Sequence, residues 1–481
     1  MDDSSTGRHR VAVLALAPLA GLVVALLPLG GIDPWAQHVL AVVAVALVLW
    51  MGEGLPIAVT ALLVVVLLAL IGPGSGEDAA RQALYGFQLP AGYFLIGTLV
   101  VGAAAVESGL ATRLAGTLVA SAHGSAGRIY RQLLLLIPPS AILIPSATTR
   151  NAILIPAYED VFRRIGFGRG ERLPRVVSLA LATLQVLGST AVLTGGVVPI
   201  TAAFLLGGFS WLRWFVVMAL PCYAILAFSG ALLFVRQRPR APQPAVQAPA
   251  HPASEAATGA ATAAGTRWSP AEKRAAAIIA AMLALWLTDR WTGWDPMIPA
   301  LLGAVALLAP GIGVLTWNAF ERSSPWPIFL VTCSALSMAH ALQASGAAGW
   351  LTSSVLALIP LARLPLALVV PLLLLLVVPI NLVLPNRAGV LAIVIPLLTS
   401  IAREIGLNPV PLGLMATIVT QSTIFYPVQN AAALLAYQPG HFTPGDLLRA
   451  GLTVFGTALV ILPIVAVPWW SLLGLPLRVT P

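Results

Sequence analysis

The chain has 481 residues, 59% hydrophobic and 9% charged, with a mean hydropathy of +0.93 and a formal net charge of +9. That balance excludes a soluble globular domain: stretches of 18 or more nearly uncharged residues recur, as in an all-α polytopic membrane protein. Nor is the positive charge a nucleic-acid signature, because the basic residues sit in short loops, where they report orientation.

Apolar spans fall near 11–30, 35–52, 55–72 and 91–111. The first is read as a retained helix rather than a signal peptide, since two more spans follow at once and no A-x-A cleavage site intervenes. Residues 130–162 then hold two apolar segments, each too short to cross a bilayer, around Ser146-Ala-Thr-Thr-Arg-Asn151. A span needs about 20 apolar residues, so the chain is expected to enter, turn at this polar patch and leave as a re-entrant hairpin. Spans near 176–206 and 211–235 follow. Residues 236–272 are rich in Pro, Ala, Thr and Ser with no apolar period, as in a disordered linker. Spans resume near 273–289, 296–314 and 325–345, a second hairpin covers 364–402 around Pro385-Asn386-Arg387-Ala388-Gly389, and the last spans lie near 410–438 and 447–471.

The halves share short matches in the same order. Glu107-Ser108-Gly109 recurs as Ala344-Ser345-Gly346, and Pro156 to Gly166 recurs as Pro396 to Gly406 at the same interval. Such internal repeats mark secondary transporters, with the substrate site at the repeat interface near mid-bilayer. The expected division is 1–125 as scaffold helices of the first half and 126–235 as the first part of a transport domain. A linker over 236–272, scaffold helices over 273–360 and the second transport part over 361–481 complete it.

Charge sets the expected topology. Arg113, Arg128 and Arg131 precede the first hairpin, and Arg163, Arg164, Arg169, Arg172 and Arg175 follow it, so both flanks read as cytoplasmic. The second hairpin is flanked only by Arg363 and Arg403 and reads as entering from outside. Eleven spans and two hairpins from opposite faces put the amino terminus, with Arg8 and Arg10, in the cytoplasm and the carboxyl terminus outside.

Arg150 and Arg387 are the sharpest chemical signals. A cation at mid-bilayer costs on the order of 3 kcal/mol and marks a pathway or a site. Their planar forks match a carboxylate or sulfate, with Ser146, Thr148, Thr149, Asn151 and Asn386 as neutral donors. The alternative is that each arginine caps helix-end carbonyls or pairs with an acid. A second polar cluster, Gly188-Ser189-Thr190 with Thr194-Gly195-Gly196, interrupts one span, and Gln421-Ser422-Thr423 with Pro427-Val428-Gln429-Asn430 interrupts its counterpart. Both read as broken helices that coordinate substrate or ions, or as ordinary kinks. Thr194, Gly195, Gln429 and Asn430 therefore join the candidate substrate site. His340 is either a proton relay or a helix-bonding histidine. Glu53 and Glu107 sit at helix ends, Asp289-Arg290 at an interface, and Trp35, Trp50, Trp211, Trp294, Trp469 and Trp470 read as interfacial anchors.

Cys222 and Cys333 fall in apolar spans and suggest neither a disulfide framework nor a metal site. The absence of Walker, HExxH and GxSxG patterns leaves ATP-driven transport and hydrolysis without support, so no cofactor is expected. One lysine, Lys273, against 25 arginines suggests a high-GC bacterial genome and a cytoplasmic-membrane location.

The motifs resemble those of the divalent anion/sodium symporters, the carriers of dicarboxylates, citrate and sulfate. Trp50-Met-Gly-Glu53-Gly-Leu-Pro56 resembles that family's W-x-x-E-x-x-P stretch. Glu107-Ser108-Gly109-Leu110-Ala111-Thr112-Arg113-Leu114-Ala115 resembles its E/K-S-G-L-A-x-R-L-A stretch. Tyr426-Pro427-Val428, Tyr437-Gln-Pro-Gly440 and Asp446-Leu-Leu-Arg-Ala-Gly451 resemble its closing motifs. The resemblance implies a homodimer, a small anionic substrate, inverted repeats and an elevator-type exchange between a fixed scaffold and a moving domain. It also implies sodium sites at the hairpin tips, where the family carries Ser-Asn-Thr. Those positions fall on Ser146-Ala147-Thr148 and Asn386-Arg387-Ala388, and the accompanying loop motifs fall near Gly195 and on Gln429-Asn430-Ala431-Ala432-Ala433. With these sites degraded, the expectation is anion transport that is sodium-independent or proton-coupled, with Arg150 and Arg387 supplying fixed charge. The competing readings are a metalloid exporter of the same superfamily and an anion channel.

Overall fold

The computed structural model describes residues 3–120, 126–144, 146–168, 171–237, 267–359, 364–384 and 386–478. Most of the expected linker, and Arg169 and Arg363, lie outside the described residues. Helices make up nearly all of the described chain, and one isolated bridge, Leu407 with Arg478, is its only β pairing.

The first half runs α1 (Asp3–Leu26), α2 (Pro34–Gly52), α3 (Ile57–Ile71), α4 (Gly76–Ala83), α5 (Tyr85–Gln88), α6 (Pro90–Glu107) and α7 (Leu110–Ala120). The hairpin pair α8 (Ala126–Leu143) and α9 (Ala147–Ile165) follows, then α10 (Arg172–Ser189), α11 (Val197–Leu205) and α12 (Trp211–Arg236). The second half runs α13 (Pro270–Leu287), α14 (Asp289–Thr292), α15 (Met297–Leu308), α16 (Trp317–Ser323), α17 (Trp326–Ala344) and α18 (Ala347–Leu358). Its hairpin pair is α19 (Leu366–Val383) and α20 (Arg387–Glu404), followed by α21 (Pro409–Ser422), α22 (Ala431–Tyr437) and α23 (Pro444–Ile461) with its continuation to Leu472. From α6 and from α17 onward the order of long, short, paired and broken helices is the same.

Side-chain chemistry explains the ends. Ser146, Ser210 and Ser269 cap α9, α12 and α13, and Ser269 with Glu272 and Thr443 with Asp446 form reciprocal capping boxes. Gly109 and Gly346 take left-handed backbone at equivalent points, turning α6 into α7 and α17 into α18. Gly166 and Gly406 likewise end α9 and α20. An L side chain would be strained there, so the glycines of the sequence repeat are the corners of the structural one.

Several expectations are corrected. The arm helices α7 and α18 were not foreseen, because each is only 11 or 12 residues of mixed polarity after a glycine. The eleven expected spans are of unequal kinds: six helices among the described residues are long and apolar enough to cross a bilayer, α3 and α15 are shorter, α13 carries Glu272, Lys273 and Arg274 in its first turns, and two spans are broken in the middle. The polar patch 146–151 is not an irregular tip. Helix begins at Ala147, so Arg150 closes its first turn, and Arg387 is the first residue of α20. Trp50, Trp211 and Trp470 are buried in protein rather than interfacial. A tryptophan's large apolar ring is as readily held by helix packing as by headgroups.

Packing crosses the halves. α6 packs on α15 and α3 on α17, while α9 packs on α22, α11 on α20 and α12 on α23. Each broken helix thus continues beside the hairpin of the other half.

Candidate functional site

The first hairpin's return arm starts with Ser146 Oγ accepting the Thr149 N–H at 3.2 Å. That cap fixes the first turn, which carries Arg150 and then Asn151 into complete burial. Arg150 Nη1 donates to the Ile144 carbonyl just before the turn and, at 3.5 Å, to the Gly195 carbonyl in the break between α10 and α11. Its Nε and Nη2 have no partner among the described residues. Asn151 Nδ2 donates to Leu181 O at 3.0 Å and to Ala432 O at 2.9 Å, so the start of α9 is tied to α10 and to the start of α22.

The second hairpin reaches the same region from the other half. Arg387 Nη1 donates to Gln421 Oε1 at 2.8 Å, and Gln421 Nε2 donates to Thr190 Oγ1 at 3.2 Å. A polar chain therefore runs from α20 through the end of α21 into the first break. Both arginines are linked to residues 190–195, Arg150 directly and Arg387 through Gln421. Arg387 Nη2 and Asn386 Nδ2 lack partners among the described residues, and Asn386 does not cap its helix. No carboxylate among the described residues comes within ion-pair distance of either guanidinium. Their charge adds to the positive ends of α9 and α20 rather than cancelling it.

Among the other expected site residues, Gln429 and Asn430 bond to the backbone. Gln429 donates to Thr423 O at 2.7 Å and accepts Phe425 N–H at 2.8 Å, and Asn430 Oδ1 accepts Ala432 N–H at 2.7 Å. Thr194 Oγ1 accepts the Trp211 indole N–H at 3.4 Å. Thr148 and Thr149 are half-buried on the first turn of α9. His340 stacks on Tyr85 with centroids 3.7 Å apart.

Asn381, Gln421, Thr190 and Trp50 were not singled out as site residues, though Gln421 and Thr190 lie in the stretches quoted. Buried Asn381 on α19 donates to Thr420 O at 3.0 Å and to Thr423, holding the second break. A lone asparagine in an apolar hairpin arm was the available signal. Trp50 packs so closely on Gly389, one turn into α20, that an added Cβ there would lie 3.1 Å from its ring.

The arrangement presents two buried cations and interlocked helix breaks, a binding rather than a bond-breaking constellation.

A family model described as the sodium:sulfate symporter transmembrane region matches residues 8–476. A membrane protein of Cupriavidus necator is 25% identical over 96% of this chain and 91% of its own length. Solute carrier family 13 member 1 of Mus musculus is 30% identical, but over 31% of this chain and 25% of that protein. The human Na(+)/dicarboxylate cotransporter 3 is 26% identical over 32% and 25%; the chain thus spans about a quarter of these animal relatives. Among solved structures, the YdaH transporter of Alcanivorax borkumensis superposes with a TM-score of 0.51 at 16% identity, covering 90% of this chain and 100% of that one.

Proposed function

The chain belongs to the sodium:sulfate symporter transmembrane family, and from that premise we propose that it is an anion carrier working without bound sodium. Members of this family are integral membrane secondary transporters of anions, not enzymes. The finer reading rests on one observation. Arg150 Nη1 lies among the Ile144 and Gly195 carbonyls, where a hairpin end meets a helix break. Carbonyl oxygens freed at helix ends are the ligands an alkali cation would take, and here a covalently fixed cation meets them.

The anion is held between the hairpins, with Arg150 and Arg387 as its charge partners and Asn151 and Gln421 locking the breaks. Relatives named for sulfate and dicarboxylate support a small anion as the substrate. The crossed packing of the hairpins, α10–α12 and α21–α23 supports reading them as one transport body. That body would shift as an elevator against α2, α3, α6, α13, α15 and α17, tethered by the arm helices α7 and α18. The recurring element order supports two inverted repeats, and the family resemblance supports a homodimer with a cytoplasmic amino terminus.

Uptake of labelled anion into proteoliposomes, with sodium replaced by choline, tests the coupling. Equal rates are expected; a tenfold dependence on sodium rejects the fixed-charge reading.

A further inference from the structure

Three helix ends meet around Phe234, and each carries an arginine: Arg131 in the second turn of α8, Arg172 at the start of α10 and Arg236 at the end of α12. The Arg172 guanidinium lies over the Phe234 ring, 4.5 Å from its centroid, and Nη2 donates to the Phe234 carbonyl. Tyr130 stacks on the same ring with centroids 5.2 Å apart, and its hydroxyl donates to the Gly230 carbonyl at 3.1 Å. Arg131 therefore stands beside the seam between α8 and α12. Arg236 Nη1 donates to Thr453 Oγ1 on α23 at 3.4 Å. Among the described residues none of these three arginines forms an ion pair. Glu171, beside Arg172 in sequence, accepts the Gly168 N–H at 3.0 Å instead. One turn deeper along the same helices the surface is apolar. Leu135 follows Arg131 on α8, and Leu232 and Val235 precede Arg236 on α12, a spacing that puts Leu135 below Arg131 and Leu232 below Arg236. Leu135 is 76% exposed and Val235 72%.

We propose that this end of the bundle binds an anionic phospholipid, its phosphate on Arg131, Arg172 and Arg236 and its acyl chains along Leu135, Leu232 and Val235. Arginine forks match phosphate oxygens, and basic pockets between membrane helices take anionic headgroups. A general excess of basic residues at one membrane face needs no defined geometry. Here the ring stack and the carbonyl bond hold Arg172 in place, so less side-chain freedom is lost when a headgroup arrives. The step from cations to exposed apolar side chains on the same two helices matches the step from headgroup to tail. A second copy of the chain docking here by a two-fold contact would set the patch against itself, arginine facing arginine. The proposal does not depend on which anion is carried.

The test uses the full chain in detergent, titrated with phosphatidylglycerol, with phosphatidylcholine of the same acyl chains and with inorganic phosphate. Native mass spectrometry reads retained lipid, and thermal shift reads affinity. Phosphatidylglycerol is expected to stay bound and to raise the melting temperature, and phosphatidylcholine is not. Arg131→Gln and Arg236→Gln, both at exposed side chains, should each weaken phosphatidylglycerol about fivefold, the loss of one arginine at an anionic surface. Together they should weaken it by roughly the product of the two. Arg172→Gln should weaken it as well; if that variant fails to fold, the two exposed ones decide. The control is Arg274→Gln, an exposed arginine on α13 whose Nη1 donates to the Gly311 carbonyl at 2.9 Å, and it should leave lipid binding unchanged. An equal loss in Arg274→Gln would show that binding follows overall charge, and would overturn the site. So would phosphatidylcholine binding as tightly as phosphatidylglycerol, or an Arg131→Gln/Arg236→Gln double variant that keeps full affinity. A thermal shift by inorganic phosphate that disappears in Arg236→Gln would replace the lipid with a soluble anion and overturn the assignment.

Discussion

Arg150→Gln separates a functional guanidinium from a structural one. Burying the cation costs on the order of 3 kcal/mol. Against that stand its hydrogen bonds to Ile144 and Gly195. Charged donors contribute about 1.5–3 kcal/mol each, and the Gly195 bond, at 3.5 Å, belongs below the bottom of that range. The two sides offset to within about 1 kcal/mol, so the variant should melt within a few degrees of the natural protein. Anion binding behaves differently. Removing one partner of a buried, hydrogen-bonded charge pair costs about 2–5 kcal/mol, and 1.4 kcal/mol is about tenfold, so affinity should fall roughly a hundredfold. Scanning fluorimetry of the purified variant and labelled-anion uptake in proteoliposomes give both readings from one preparation. A variant that transports normally, or one whose melting temperature collapses together with its transport, would refute the reasoning. In the second case the guanidinium holds the hairpin end and no anion.

Three further substitutions probe the surroundings. At Gly195 an added Cβ would stand 2.0 Å from the Ser189 carbonyl oxygen, a backbone atom that no rotamer change can move; Gly195→Ala should cost about 2–3 kcal/mol of stability and abolish uptake, both read on reconstituted protein. Gln421→Leu breaks the Arg387–Gln421–Thr190 chain and leaves Arg387 without its partner, so uptake should fall at least tenfold while the melting temperature falls by a few degrees. The Arg113–Glu272 pair, 2.7 Å apart where α7 starts and before the apolar part of α13, holds the Glu272 carboxyl below its usual range. Its stabilisation is present above the ordinary carboxylate pKa and lost as pH falls through the lowered folded value. Glu272→Gln should therefore lower the melting temperature near neutrality, with the gap to the natural protein closing below about pH 4. A gap that stays constant with pH would show that the pair contributes nothing by its charge.

Much of the architecture was legible because it follows from local chemistry. Hairpin arms too short to span, glycines repeated at the same interval from a proline, and polar residues interrupting apolar runs each act within a few turns of helix. The resemblance at Trp50–Pro56 and Glu107–Ala115 pointed to the family that the comparisons identify. The arm helices were missed because α7 and α18 are brief and of mixed polarity. The buried tryptophans were misread because a ring beside a span end looks the same whether lipid or protein covers it.

By itself the sequence determined a membrane-spanning helical protein, its two-part order, and which polar side chains would be costly to bury. Helix periodicity and hydropathy act over a few residues and need no partner. Only the tertiary structure decided that Asn151 would reach Ala432, that Gln421 would carry Arg387 to Thr190, and that Arg150 would reach the Gly195 carbonyl. These contacts join residues up to 281 positions apart. They exist because each half's broken helix packs beside the other half's hairpin, a crossing that no local pattern encodes.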